Sequence, residues 1–195
     1  AWWNQHGNLI VSAITAAALA FAGWQGWRWY ERNQAAQAGA LYDTIVRASR
    51  AGDAKALRDA DGALLENYPR ALHASLGALI AARFYYEHND AKSAKAQLQW
   101  VLEHARSDDF RDIARLRLAA ILLDEKGYDE ALKVLEEKHA SAYDAQYAAA
   151  KGDVLVAKQQ PAEARAAYRM ALDKTGSGSA AFRESVRMRL EALGG

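Results

Sequence analysis

Hydrophobic residues dominate the first 30 positions of the chain and then give way to a mixed pattern. An apolar run from Leu9 to Gly23 is flanked by Trp and Tyr residues, and the first Asp, Glu, Lys or Arg is Arg28. A helix of about 20 apolar residues crosses the roughly 30 Å hydrocarbon layer of a bilayer, and aromatic side chains concentrate at its two interfaces. The pattern therefore predicts a transmembrane anchor over residues 1–30, in contact with the lipid bilayer.

Small residues recur on one face of this predicted span. Ser12, Ala16, Ala20 and Gly23 lie at spacings of four and three residues, which places them where a second transmembrane helix could approach closely. We predict helix packing at these four positions; the alternative is a generic alanine-rich span. The small-x-small sequence 20–22 also resembles the cleavage site of a signal peptide, but no Lys or Arg precedes the run.

Beyond residue 30, apolar residues follow the 3.6-residue period of amphipathic helices. Proline occurs twice, at Pro69 and Pro161, and good helix formers such as Ala, Leu, Glu, Lys and Arg are abundant. Three segments align on one another by their small residues. Their first helices share Ala82, Ala119 and Gly152, which are 37 and 33 residues apart, close to the roughly 34-residue period of the tetratricopeptide repeat.

Helix breakers divide each of these units into two helices. The predicted turns fall at Asn89-Asp90, Lys126-Gly127-Tyr128 and Gln159-Gln160-Pro161, and Ala51-Gly52-Asp53 divides a more degenerate unit upstream. The sequence thus predicts four helix pairs, over about 41–69, 72–106, 110–139 and 142–174. A linker or a continuing helix, residues 31–40, joins them to the anchor.

A last helix, residues 180–193, follows a glycine-serine stretch. Its apolar residues fall on one stripe: Phe182, Val186, Leu190 and Leu193. We expect this helix to cap the open end of a solenoid. The predicted fold class is all-α: an N-terminal single transmembrane helix followed by a tetratricopeptide-like helical-hairpin solenoid over 41–195, with a C-terminal capping helix.

Charge and composition remove several classes of function. Lys plus Arg (25) nearly equals Asp plus Glu (24), so no net positive field attracts nucleic acid or an anionic membrane surface, and we expect neither as a partner. The chain has no cysteine, which excludes disulfides, thiolate nucleophiles and thiolate metal ligands.

The sequence also lacks the residue patterns of an enzyme. No HExxH motif, glycine-rich phosphate loop or serine elbow occurs. The segment 59–62 resembles the start of a calcium loop, but Arg70 stands where the acidic twelfth ligand is required. We therefore expect no catalytic residues, no cofactor and no metal site; a hydrolase in the helical domain is an alternative without a convincing carboxylate pair.

The expected site is a protein-binding surface. In a helical-hairpin solenoid the first helix of each pair lines a concave face. Superposing the three units places nine residues on that face: Leu79, Arg83, Tyr86, Leu116, Ala120, Leu123, Ala149, Asp153 and Val156. Such a mostly apolar groove suits an extended or helical peptide bound through side-chain pockets. The alternative is that these positions form the core between repeats.

The chain resembles the YfgM-like ancillary subunits of the SecYEG translocon along nearly its whole length. In the anchor, the resemblance rests on Trp2-Trp3, Gly7, Gly23-Trp24 and Gly26-Trp27-Arg28. In the helical domain it rests on Arg115-Leu116-Arg117-Leu118-Ala119, Gly152-Asp153-Val154-Leu155, Glu163-Ala164 and Ala167-Tyr168.

This resemblance implies a single-pass protein of the bacterial inner membrane with its helical domain in the periplasm. It implies association with the SecYEG translocon and with a membrane-anchored periplasmic prolyl isomerase-like chaperone, and an adaptor role that links newly translocated proteins to periplasmic chaperones. Arg28 and Arg32 after the span favour the opposite orientation by the positive-inside rule. The alternative function is an envelope scaffold for other periplasmic or division-related complexes.

Overall fold

The computed structural model describes residues 2–176 and 180–194, with side chains described from residue 15 onward. Within these residues the regular secondary structure is helical, which confirms the predicted all-α class. The helices follow in order as α1 (Trp2–Ala51), α2 (Ala54–Asn67), α3 (Leu72–Glu87), α4 (Ala91–His104), α5 (Asp108–Asp124), α6 (Tyr128–Glu136), α7 (Asp144–Ala157), α8 (Pro161–Lys174) and α9 (Ala180–Glu191). A short 3-10 turn, Ser141–Tyr143, precedes α7.

The first helix is far longer than the others. Its 50 residues extend for about 75 Å at the usual rise of an α-helix. Residues 15–33 of α1 are exposed, whereas Ala38, Ile45 and Ala48 are buried against the helices that follow. The C-terminal third of α1 therefore pairs with α2 as the first hairpin of the solenoid, and residues 31–40 continue the helix.

The predicted anchor overlaps the N-terminal part of α1. Among the residues whose side chains the structure describes, no helix is both long enough and apolar enough to cross a membrane. The side chains of Leu9–Ile14, which belong to the predicted apolar run, lie outside that description, and those of residues 15–23 are exposed.

The four helix pairs share one turn geometry. The first helix of each pair is followed by a residue at positive φ: Gly52 (71°), Asn89 (61°), Lys126 (63°) and Gln159 (60°). The next amide donates to the carbonyl five residues back, as Asp90 N does to Tyr85 O at 2.8 Å. This Schellman cap satisfies carbonyls at the helix end and reverses the chain. Asp90 then caps the second helix by accepting from Ser93 N at 3.0 Å.

Small residues lie where the helices of the solenoid cross. Ala94, Ala131 and Ala164 are fully buried. A Cβ placed on Gly77 would lie 2.9 Å from Leu64 Cδ2, and one placed on Gly152 would lie 2.4 Å from Tyr168 Cε1. The spacing between helices at these crossings therefore depends on side chains of one carbon or none.

The apolar side chains form two adjoining cores. One is built by helices α1 to α7, and the other by α7, α8 and α9. Val186 of α9 is fully buried, and Phe182, Leu190 and Leu193 pack against the second core. The apolar stripe of α9 thus lies against the last helix pair.

A buried carboxyl group of α2, Asp61, lies beside Gln97 of α4. Its side chain is 2% exposed and accepts a hydrogen bond from Gln97 Nε2 at 2.6 Å. Among the described residues, neither Asp61 Oδ1 nor Gln97 Oε1 has a hydrogen-bond partner. Burial raises the pKa of Asp61 to about 6, from a usual value of 3.8.

We expect Asp61→Asn to stabilise the protein at about pH 8 and to have little effect near pH 4. Between the unfolded pKa of 3.8 and the folded value of about 6, the native state holds a proton that the unfolded chain releases, so stability falls as the pH rises. Above that range the penalty reaches about 3 kcal/mol, which the neutral amide removes. Melting temperatures of both proteins across this pH range measure the effect.

Asp59→Asn is the matched control, because Asp59 lies on the same helix but is exposed. Its melting temperature should follow that of the unmodified protein at each pH. Equal melting temperatures of Asp61→Asn and the unmodified protein at pH 8 would contradict a buried, proton-binding Asp61.

Candidate protein-binding surface

The facing surfaces of α3 and α5 enclose a small cavity. Its volume is about 230 Å³, and it is lined by Ala82, Arg83, Tyr86, Leu98, Arg117, Ala120 and Ile121. Ala82, Leu98 and Ile121 are buried and form its floor, whereas Tyr86 and Ala120 are exposed at its mouth. The cavity is therefore apolar inside and open to solvent on one side. We call it the α3–α5 cavity.

Two arginines flank the α3–α5 cavity. Arg83 Nε forms an ion pair with Glu87 Oε1 at 2.7 Å, and Arg117 Nη1 donates to the carbonyl of Leu79 at 2.8 Å. Burial, and to a smaller degree the charge of Arg83, lower the pKa of Arg117 from its usual value. Within the described part of the chain, no carboxylate lies within ion-pair distance of Arg117. The charge of Arg117 is therefore available to interact with an acidic group of a ligand or with solvent.

Tyr86 bridges α3 and α5 at the mouth of the cavity. Its hydroxyl group donates to Asp124 Oδ2 in the last turn of α5, and this hydrogen bond is the main reason that the pKa of Tyr86 is raised. The residue remains 38% exposed. The ring is thus fixed at its hydroxyl end while part of its surface stays accessible to a partner.

The structure brings together three of the nine predicted groove residues. Arg83, Tyr86 and Ala120 line the α3–α5 cavity. Val156 of α7 is also accessible, at 39% exposed. Binding of a partner at these four residues stays a prediction.

The other five predicted residues lie in the packing between helices. Leu79 and Ala149 are 5% and 3% exposed, so the expectation that they line the groove is wrong. Leu116 and Leu123 are partly buried and pack against the first core. Asp153 accepts from Tyr168 Oη and from Arg189 Nη1, both at 2.8 Å. Neighbouring helices cover these five positions, because the inner surfaces of the hairpins pack on one another.

The residues predicted to pack in the membrane lie on the exposed part of α1. Ala16, Ala20 and Gly23 are exposed, and nothing lies within 4 Å of a Cβ placed on Gly23. Ser12 lies outside the described side chains. Contact of this face with another helix stays a prediction.

A buried polar cluster that the sequence pattern did not reveal joins the third and fourth helix pairs. Asp112 of α5 is 1% exposed. It accepts hydrogen bonds from Tyr147 Oη, Ala140 N and Arg115 Nη1, each at 3.0 Å. The ring of His139 stacks on Tyr147 with 3.8 Å between centroids. This carboxylate thus holds α5, α7 and the segment between α6 and α7 together.

The position of Asp112 in the sequence indicates that its carboxylate is buried. It lies seven residues before Ala119 and ten before Leu122, on the stripe of α5 that is buried. An acidic residue on the apolar stripe of a helix indicates a buried hydrogen-bond acceptor.

Comparison with known proteins places this fold in a family. The family model of the tetratricopeptide repeat-like domain matches residues 1–195. Proteins named ancillary SecYEG translocon subunit are similar to the chain. Those of Haemophilus influenzae and Neisseria gonorrhoeae are each 27% identical to it over 98% of this chain and 92% of their own length. The Escherichia coli protein is 25% identical over 86% of this chain and 80% of its own.

No solved structure matches the chain. The resemblance to the ancillary SecYEG translocon subunits is confirmed by the similarity along nearly the whole chain. The helical hairpins and the full-length match of the family model agree. The chain therefore belongs to the tetratricopeptide repeat-like domain family.

Proposed function

We propose that the protein is a non-enzymatic, membrane-anchored adaptor associated with the SecYEG translocon. The observation that carries this proposal is the similarity to ancillary SecYEG translocon subunits over 98% of the chain, which includes both the long first helix and the hairpin domain. In this role the protein links newly translocated proteins to periplasmic chaperones.

The proposed anchor is the N-terminal part of α1, with residues 9–23 in the hydrocarbon layer. In the described part of this helix, Leu19, Phe21, Trp24 and Trp27 are 70%, 58%, 52% and 62% exposed. Large apolar side chains on this scale need a membrane or a partner to cover them. The sequence supports a membrane, because no Asp, Glu, Lys or Arg precedes Arg28.

We further propose that the protein crosses the bacterial inner membrane once and that its hairpin domain lies in the periplasm. This orientation follows the resemblance to the translocon subunits, and Arg28 and Arg32 oppose it. Ala16, Ala20 and Gly23 are exposed on α1, which leaves this face open for a transmembrane helix of the translocon.

The α3–α5 cavity is the proposed contact with a chaperone or a newly translocated chain. Its volume of about 230 Å³ is below the roughly 300–1,000 Å³ of small-molecule sites and suits an apolar side chain of a bound peptide. Arg117, whose one hydrogen-bond partner among the described residues is the Leu79 carbonyl, is placed to meet an acidic group beside that side chain. The proposed partner is a membrane-anchored periplasmic prolyl isomerase-like chaperone.

Filling the α3–α5 cavity should weaken partner binding without unfolding the domain. We expect Ala120→Trp to reduce recovery of the chaperone or client by about tenfold or more, since buried aromatic-sized pockets at interfaces commonly contribute 2 kcal/mol or more. Because Ala120 is exposed, the melting temperature of the Ala120→Trp variant should differ little from that of the unmodified protein. The measurement is co-purification of partners from membranes after gentle detergent extraction.

Ala166→Trp is the matched control, because Ala166 is an exposed alanine on α8. It should recover the same partners as the unmodified protein. SecYEG should co-purify with all three proteins, since its proposed contact is α1. Full recovery of the chaperone and clients with Ala120→Trp would remove the cavity from the proposed interface, and absence of SecYEG throughout would overturn the association itself.

A further inference from the structure

A second cavity lies where α1 meets the turn between α2 and α3. It has a volume of about 580 Å³, and its lining includes Trp27 and Tyr30 of α1, Arg70 of the turn, and Arg106, which follows α4. Tyr68 Oη donates to Gln37 Oε1 at 2.5 Å, which fixes the turn against α1. Three aromatic side chains, those of Trp27, Tyr30 and Tyr68, and two guanidinium groups are thus held around one opening.

The arginines around this cavity form no ion pair with the part of the chain that the structure describes. Arg70 and Arg106 are exposed, as are Arg28 and Arg32 on the same stretch of α1. Among the described residues, none of the four lies within ion-pair distance of a carboxylate. Glu31 is the acidic residue of the lining. The surface is therefore positively charged, although the whole chain is nearly neutral.

The start of α3 adds to this positive charge. Its N-cap residue, Ala71, lines the cavity and provides no side-chain acceptor for the first amides of the helix. These amides and the helix dipole favour an anion at this position.

The cavity lies at the depth of lipid headgroups if α1 is anchored as proposed. At 1.5 Å per residue, Trp27 and Tyr30 lie about 6 and 10 Å beyond Gly23, where the apolar run ends. The headgroup layer on each side of the hydrocarbon is roughly 5–8 Å thick, so Trp27 lies within it and Tyr30 lies at its outer edge. Exposed Trp and Tyr side chains, 62% and 52% exposed here, are typical of this layer.

We propose that this cavity binds the phosphate headgroup of an anionic phospholipid in the bilayer that holds α1. The inference rests on the proposed anchor. Guanidinium groups bind phosphate oxygens through paired hydrogen bonds, and basic residues beside a membrane span attract anionic lipid. A headgroup bound between α1 and the α2–α3 turn ties the first hairpin to the membrane surface and sets the height of the α3–α5 cavity above it.

The test is native mass spectrometry of the full chain released from nanodiscs of equal parts phosphatidylcholine and phosphatidylglycerol. We expect the retained lipid to be enriched in phosphatidylglycerol. The variant R70Q/R106Q should reduce the ratio of retained phosphatidylglycerol to phosphatidylcholine by about fivefold for each arginine removed. The charge-conserving variant R70K/R106K should retain most of the enrichment.

The variant R50Q/R169Q is the matched control, because both arginines are exposed and Arg50 lies in the last turn of α1, about 35 Å from Trp27. It should retain phosphatidylglycerol as the unmodified chain does. Circular dichroism verifies that every variant is folded. Addition of inorganic phosphate, against sodium chloride at the same ionic strength, should not displace the lipid.

Three results would overturn the headgroup site. They are equal retention of both lipids by the unmodified chain, an equal loss in R70Q/R106Q and R50Q/R169Q, and displacement by inorganic phosphate alone. In each of these the chain is still incorporated into nanodiscs, so the anchor stands. Failure of the chain to enter nanodiscs at all would overturn the anchor and the headgroup site together.

Discussion

Replacing Asp112 with alanine is expected to lower the free energy of unfolding by about 3–5 kcal/mol. The substitution leaves three donors without their acceptor: Tyr147 Oη, Ala140 N and Arg115 Nη1. The hydroxyl group of Tyr147 is buried, and both its burial and its bond to Asp112 raise its pKa. A buried donor or charge that loses its partner keeps the full cost of its desolvation.

Chemical denaturation followed by circular dichroism measures the effect of Asp112→Ala. Asp43→Ala is the matched control, because Asp43 is exposed on α1, and it should change the free energy of unfolding by less than about 0.5 kcal/mol. In hydrogen exchange, protection should fall first at Ala140 and in α7, where the carboxylate holds the two pairs together. Equal stability of Asp112→Ala and Asp43→Ala would show that the cluster does not stabilise the fold.

Replacing Gly152 with alanine is expected to destabilise the protein by about 1–3 kcal/mol. The added Cβ would lie 2.4 Å from Tyr168 Cε1 and 2.6 Å from Tyr168 Cδ1, well inside van der Waals contact. Tyr168 cannot simply rotate away, because its hydroxyl group donates to Asp153 Oδ1 at 2.8 Å and its ring is buried. Helices α7 and α8 must therefore move apart.

The same chemical change at Gly62, Gly62→Ala, is expected to have the opposite effect on stability. Gly62 is an exposed residue inside α2, and nothing lies within 4 Å of a Cβ placed on it. Alanine there should stabilise the protein by about 0.4–1 kcal/mol, because glycine loses more backbone entropy on folding. The double variant G152A/Y168L should recover part of the loss. Melting temperatures that shift in the same direction for both glycines would contradict close packing at Gly152.

The helical hairpins were predictable because their determinants are local. Each turn needs a residue that tolerates positive φ, and Gly52, Asn89 and Lys126 lie at such turns. Each crossing needs a small residue, as at Ala131 and Gly152. These requirements recur with the period of the repeat, so one sequence reveals them without knowledge of distant contacts.

The residues of the candidate protein-binding surface were less predictable, because the packing of neighbouring hairpins determines which residues are exposed. Leu79 and Arg83 are one helical turn apart, yet Leu79 is buried and Arg83 lines the α3–α5 cavity. The packing of α5 on α3 decides which of the two is covered, and the repeat pattern contains no information about that packing. The burial of Asp61 and Asp112 was not predicted for a different reason, since acidic residues are usually exposed and only their place on an apolar stripe indicates otherwise.

Site-specific photocrosslinking in intact cells tests the adaptor role most directly. One probe replaces Ala16 in the proposed span, and another replaces Tyr86 at the mouth of the α3–α5 cavity. Ala166 on α8 is the control position. The adducts are identified by mass spectrometry. We expect SecYEG subunits at Ala16, a periplasmic chaperone or a newly translocated chain at Tyr86, and neither at Ala166. Cytoplasmic proteins at Tyr86, or the same adducts at Tyr86 and Ala166, would contradict it.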